Sequence, residues 1–484
     1  MLNPTTQPRF YTRALGMTRP LVLGLALSGL AAPALMAHDG KTHGKSADPF
    51  EQLANDGLQV KRGKNTGKGM PSILGPFPDT VGLEFLGQLT NPELGASKLV
   101  FTGASFLSDI WGWTSPNSGD EYAIVGTSSG VSFVRVTDPT NPQFLGRIPT
   151  TNPDTLRNFW WDMKTYNNHV YWTTEVNDAG VGIFELTQLD GMPAAPSDKT
   201  LTATARYSDN GYIRAHNISI NEDTGFAYLT GVSKDPDVDP NFADDGIVIL
   251  DLSNALAPVE VGKIYGRDSH DAQVVSYTGP DLDHKGKEIA VVFNGVDLTV
   301  GIYDVTTKGN FDLTQDPSPP MLISETSYPG ASFTHQGWLT EDHQYLLVGD
   351  EEDELFGLSD PRNPDLPDTA RTYILDVRDL GNPAVIGTFD SPAASIDHNL
   401  FVKGDKVYQA HYTAGVRVLD ASQVANGVLT EIAHMDTEPR LPNHNMNHNI
   451  NIFVGPWGVF PFFDSGTIAA SDGLNGLILM RLAP

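Results

Sequence analysis

The stretch "VGLEFLGQLTNP" (residues 81–92) stands near the front of the chain, yet it reads like the closing strand of a repeat. Its counterparts lie much further along. "PQFLGRIPT" begins at Pro142 and "PAVIGTFDS" begins at Pro383. Both follow an Asn-Pro turn, and both resume the period-two alternation of a half-buried strand. Each is preceded by a strand of the form Gly-apolar-x-apolar, ending near an acid. That form recurs in "GVSFVRVTD", "GVGIFELTQ", "GIVILDLSN", "VGIYDVTT", "TYILDVRD", "GVRVLDASQ" and "GLILMRLAP". The last of these has no fourth strand after it. The displaced stretch at 81–92 is therefore expected to supply it and to join the front of the repeat array to its end.

The repeats return at intervals of roughly 40 to 65 residues, the range of a propeller blade. Seven opening strands are expected near residues 108–114, 161–166, 216–220, 270–277, 335–339, 398–402 and 448–454. Gly (47) and Pro (34) are abundant, which suits many short strands joined by turns. These features predict an all-β chain, a seven-bladed β-propeller over residues 81–484 closed by an N-terminal strand. Closure of this kind removes exposed sheet edges.

Residues 1–37 have the form of a signal peptide. Arg9, Arg13 and Arg19 precede the apolar run "PLVLGLALSGLAA" and the small-residue stretch ending at Ala37. Residues 38–80 read as a flexible polar leader without periodicity. The chain is expected to be exported, periplasmic or extracellular, with no transmembrane segment after cleavage. The net charge of −28 argues against a nucleic-acid or anionic-lipid partner. There are no cysteines, so disulfides and thiolate metal sites are excluded.

The Gly-apolar-x-Ile/Leu-Asp-Val/Leu pattern followed by Asn-Pro resembles the LVIVD repeat of bacterial exported proteins. The segments "SDIWGW", "GPDLDHKGKEIAV", "THQGWLTED" and "AGVRVLD" are similar to the choice-of-anchor B family. The resemblance spans about residues 80 to 484. It implies an extracytoplasmic propeller-like domain and brings no established activity. Members often carry a C-terminal sorting tail. This sequence ends at "LMRLAP", which favours a soluble exported form.

Each opening strand begins with a polar pair. The pairs are Ser108-Asp109, Trp161-Asp162, His216-Asn217, His270-Asp271, His335-Gln336, His398-Asn399 and His448-Asn449. The first strand of a blade lines the central channel, so these pairs should gather at one mouth. The ends of the second strands return to the same mouth and bring Glu175, Asn294, Asp350, Glu351, His411 and Asp472. Two readings stand side by side. Such side chains can tie neighbouring blades through buried hydrogen bonds. Alternatively His216, His270, His335, His398, His411 and His448, with Glu175, Asp350 and Glu351, can hold a divalent transition metal. A third feature, "GPDLDHKGKEIAV", sets Asp281, Asp283 and Glu288 around Gly286 in a partial likeness to a calcium loop.

No Walker loop, dinucleotide fingerprint, Gly-x-Ser-x-Gly elbow or His-Glu-x-x-His is present. The expected role is a binding or scaffold module whose ligand is a protein, glycan or small molecule at the mouth. The alternative is a metal-dependent hydrolase or oxidoreductase using the axial histidines and acids.

Overall fold

The strand Leu83–Leu89 pairs antiparallel with Gly476–Leu482, which is the third strand of the last blade. The front of the repeat array thus completes its end, as the displaced fourth-strand pattern requires. The computed structural model describes residues 72–484 apart from 99–104, 153–159, 241, 243–244, 315–320, 354–368, 394 and 441–452. Those residues form seven sheets of four or more strands, antiparallel except where Asn310–Asp312 adds a parallel edge beside Val259–Tyr265.

The inner strands are Leu107–Thr114, Trp161–Tyr166, Asn217–Asn221, Asp271–Ser276, Thr334–Leu339, Asp397–Lys403 and Pro456–Phe460, for blades one to seven. They neighbour one another in a closed cycle, with blade seven returning to blade one. This is a seven-bladed β-propeller. The first six inner strands lie within two residues of the expected positions. The seventh does not. It starts at Pro456, not at His448, and its head reads Pro-Trp-Gly instead of His-Asn.

Burial follows strand position within each blade. The second strand of blade one, Glu121–Thr127, is buried along its whole length, and the third, Gly130–Arg135, is buried except at Arg135. Blades pack against both faces of such strands, so the sequence runs apolar without alternation. The outer strand Ala384–Asp390 instead alternates between exposed and half-buried positions, because only one face meets a neighbour. The cores accordingly lie between adjacent blades. One joins Trp113, Phe133 and Ile148 of blade one to Trp161, Met163 and Phe184 of blade two.

The glycine that recurs in the outer strands serves a close approach. A Cβ on Gly387 would lie 2.1 Å from the Gly427 carbonyl oxygen of the next blade. A Cβ on Gly87 would lie 2.2 Å from the Pro139 carbonyl oxygen. The loops of one blade press directly on the outer strand of another at these points.

The last residues of the stretch read as a polar leader lie against the ring. Ser72 Oγ donates to the Leu474 carbonyl at 2.9 Å, and the Ile73 N–H donates to Asn475 Oδ1 at 2.7 Å. Thr80–Val81 adds a fifth strand to blade six beside Thr430–Met435. Among the described residues no helix is long and apolar enough to cross a membrane.

Candidate functional site

An inner strand is the edge of its sheet. One side of its backbone faces the channel and needs partners other than strands. The second members of several polar pairs meet part of that need by reaching to a neighbouring blade, whereas Asp271 accepts from the Ala272 N–H of its own strand. Asp162 of blade two accepts from the Ile218 N–H of blade three at 2.8 Å. Asn217 donates to the His270 carbonyl of blade four at 3.3 Å. Gln336 of blade five takes both groups of Leu400, accepting from its N–H at 2.9 Å and donating to its carbonyl at 3.0 Å. Gln273, two residues beyond Asp271, accepts from the Leu339 N–H at 2.8 Å.

Blade seven breaks the series. Gly458 stands there, and a Cβ on it would sit 2.1 Å from Asp109 Oδ1. The space lets Asn399 of blade six reach past blade seven and donate to Asp109 Oδ2 at 2.9 Å. Burial, and then the neighbouring Asp162 carboxylate, pushes the Asp109 carboxyl up to about 7. Burial likewise holds Asp271 well above the usual carboxylate range. Lys164 provides the countercharge, with Nζ 2.6 Å from Asp162 Oδ1 and 4.5 Å from the centre of the Trp111 ring. The strand "WDMKTY" carries the signal for it, since residues two apart share a face.

The first members form a second layer. His216, His270, His335 and His398 follow one another with tilted rings, successive ring centroids 4.4, 4.5 and 4.3 Å apart. Trp457 of blade seven continues the row 4.7 Å from His398. All four histidines are buried. His398 Nδ1 donates to the Trp457 carbonyl at 2.5 Å, and His270 Nδ1 donates to the His335 carbonyl at 3.1 Å. A carbonyl only accepts, so each of these rings presents Nε2 as a lone pair when neutral. Burial drives the His398 imidazole down to about 3, which keeps it neutral near pH 7.

Two of these rings converge on one carboxylate. His335 Nε2 lies 3.6 Å from Glu351 Oε2, and His398 Nε2 lies 3.8 Å from Glu351 Oε1. One ligand atom from each of the three residues lies within 4.8 Å of the others. Their exposures are 2%, 7% and 5% for His335, Glu351 and His398. Glu351 sits just after the second strand of blade five, and Tyr412 of blade six donates to its Oε1 at 2.8 Å.

The other expected ligands are placed differently. His216 Nδ1 pairs with Glu175 Oε1 at 2.8 Å, at the blade two–blade three end of the row. His270 lies between the two groups. The Asp350 carboxylate turns to the loop before its own blade's inner strand, accepting from Tyr328 Oη and from the Ser332 and Phe333 N–H groups, each at 2.8 Å. His411 sits with Nε2 3.3 Å from Gln409 Oε1 and is not part of the triad. His448 lies outside the described residues.

Asp281, Asp283 and Glu288 are not brought together as a metal-ligating group. Asp281 Oδ1 accepts from the Asp283 N–H at 3.1 Å, and its Oδ2 accepts from the Leu380 N–H at 3.0 Å. Glu288 lies in a strand and binds Lys308 Nζ at 2.6 Å, Thr224 Oγ1 at 2.8 Å and Asn221 Nδ2 at 3.1 Å. The strand carries its carboxylate to the blade three interface and away from the turn.

No family model matches this chain. No curated protein matches it. Among solved structures it is similar to hydrazine synthase of Kuenenia stuttgartiensis, at 13% identity and a TM-score of 0.44, covering 76% of this chain and 94% of that one. It is also similar to a protein from Lactobacillus plantarum, at 12% identity and a TM-score of 0.39, covering 69% of this chain and 82% of that one. Both likenesses are distant, and the propeller assignment rests on the chain's own seven sheets.

Proposed function

We propose that this chain is an exported propeller that serves as a binding scaffold, with a divalent transition metal held at its axis by His335, Glu351 and His398. The convergence of these three residues carries the reading. Zinc binds nitrogen and oxygen at about 2.0–2.1 Å, so tetrahedral ligand atoms stand about 3.4 Å apart. The observed 3.6 and 3.8 Å separations run to the two different oxygens of Glu351, are too long for direct hydrogen bonds, and leave one ligand atom from each residue within 4.8 Å of the others. The backbone carbonyl that takes the Nδ1 proton of His398 supports the same role, since outer partners of this kind orient metal-bound histidines.

A metal there would tie blade five to blade six and fix the mouth against which a protein, glycan or small molecule binds. The signal-like residues 1–37 and the LVIVD-like third strands support an extracytoplasmic setting.

The donor set favours one further reading. Two imidazoles and one carboxylate are the ligands used by catalytic zinc and by non-haem iron, so a metal-dependent hydrolase or oxidoreductase is the second proposal. The bound ion would supply Lewis acidity or redox chemistry. His335 and His398 would hold it through Nε2, and Tyr412 would steady Glu351 by its hydroxyl.

Elemental analysis of the mature chain, purified without an affinity tag or chelator, tests the metal. Near-stoichiometric transition metal that is lost in a His335→Ala/His398→Ala double variant is expected. Protein that stays empty after incubation with zinc, copper, manganese and iron would overturn the metal site and leave the scaffold reading alone.

A further inference from the structure

Residues 77–83 lie as a strap where blades six and seven meet. Phe77 and Leu83 flank it, buried in one core with Phe401 and Val416 of blade six and Val459 and Ile468 of blade seven. Between them only Thr80–Val81 pairs as a strand, with Thr80 opposite Met435 and Val81 opposite His434. The Asp436 N–H donates to the Asp79 carbonyl at 2.9 Å, and Thr80 Oγ1 donates to the Phe77 carbonyl at 2.9 Å. Val81 is 55% exposed, so the middle of the strap has little apolar burial to hold it. A two-residue strand on a sheet edge is marginal by itself.

A polar clasp adds to it. His434 Nδ1 lies 3.0 Å from Glu431 Oε1, and His434 Nε2 lies 3.2 Å from Asp79 Oδ1. Glu431 and His434 belong to the outer strand of blade six, while Asp79 belongs to the strap. A carboxylate only accepts, and a neutral imidazole carries a single N–H. Both contacts are hydrogen bonds only when the ring is an imidazolium. A neutral ring turns a lone pair on one of the two carboxylates. Charged bonds of this kind are about twice as strong as neutral ones. Arg417 stands opposite His434 on the third strand of blade six, and its Nη1 pairs with Glu431 Oε2 at 2.5 Å. Asp436 follows on the outer strand's exit, where Asp79, Glu438 and Arg417 all act on it. Glu431, Asp79, Asp436 and Glu438 thus supply the negative charge around the clasp, and Arg417 the positive charge.

We propose that the strap is an acid-closed device, in which the His434 imidazolium clasps Asp79 to Glu431 and fixes residues 79–82 on blade six, and loss of its proton unclasps them. Histidine is the side chain that ordinarily changes charge between pH 5 and 8. The clasp gains a proton on closing, so it is strongest in acid and is lost as pH rises through that range. Phe77 stays in its core in both states, which confines the change to the middle of the strap. Opening bares the outer edge of Thr430–Met435, which Thr80–Val81 covers when closed. The device is independent of any metal at the axis.

Hydrogen exchange of the full mature chain, read by mass spectrometry at about pH 5.5 and about pH 8.5 and corrected for the intrinsic rate at each, tests this. Protection of residues 79–83 is expected to fall about tenfold from the acid to the alkaline condition. His434→Gln carries no titrating proton and should show the low protection at both. Asp79→Asn changes an exposed side chain and should also flatten the difference, which keeps the test open if the first variant folds poorly. The edge strand Asn310–Asp312 pairs with Lys263, Ile264 and Tyr265, without a histidine, and should show no such difference. Equal corrected protection of the strap at the two pH values in wild type overturns the proposal. So does either variant that keeps the wild-type difference, because the pH response would then lie outside the clasp.

Discussion

Gln336→Leu tests the idea that single side chains carry the contact between blades. The amide of Gln336 accepts from the Leu400 N–H and donates to the Leu400 carbonyl, and the residue is 3% exposed. The register of blade six is broken between Asp397 and Leu400, so the side chain stands in for a missing strand at that point. Leucine fills nearly the same volume but offers nothing to either backbone group. Leaving one buried polar group unpaired costs about 1–3 kcal/mol, so losing two predicts about 2–6 kcal/mol. The assay is urea denaturation followed by tryptophan fluorescence, read at the first transition. Gln344→Leu is the control, because the Gln344 side-chain amide donates to Asp342 within its own turn. It should change stability by less than about 0.5 kcal/mol. If Gln336→Leu costs no more than Gln344→Leu, the blades are held by apolar packing alone and the stapling argument fails.

Further outcomes follow from the same geometry. Gly458→Ala places a methyl on Asp109 and should break its bond with Asn399, lowering stability by about 1–3 kcal/mol; an unchanged urea midpoint would contradict this. Asp109→Asn should flatten part of the pH dependence. The folded carboxyl is raised to about 7, above its unfolded value, so its contribution is fully present below about pH 4 and lost as pH rises through about 7. The stability of wild type relative to the variant should therefore be greater at pH 5 than at pH 8, by about 2–3 kcal/mol in urea titrations. Tyr412→Phe deletes the hydroxyl that Glu351 accepts and should weaken zinc retention against a competing chelator several-fold while leaving far-ultraviolet circular dichroism unchanged. Retention equal to wild type would show that the hydroxyl does not steady the ligand.

Most of the architecture was legible along the chain because a propeller blade is a local object. Its four strands are consecutive, and hydrophobic period and turn residues mark each one. The stray stretch at 81–92 could be read as a fourth strand because "LEFLGQL" shares its pattern with "QFLGRIP" and "AVIGTFD". The seventh inner strand, Pro456–Phe460, departs from the expected position because it lacks the polar pair. Gly458 occupies that position to make room for a contact between blades six and one, residues 290 apart in sequence. The histidines at the heads of the strands were visible as a set. Which of them meet a carboxylate was not.

The repeat and its count are written in local patterns along the chain, and the closing strand is legible because its own pattern matches the fourth strands although its partner Gly476–Leu482 lies at the far end. How the ligand-type residues divide depends on which strands pair and in what register. The sequence groups His411 with the axial histidines, yet its strand register sets it opposite Asp397 and not His398. A shift of one residue between antiparallel strands turns a side chain to the other face. That single offset sends His398 to the axis and His411 to the seam between blades five and six. Glu351 reaches the axial histidines while Asp350, one position earlier, turns to Tyr328. Parity and register are properties of paired strands, and no single strand contains them.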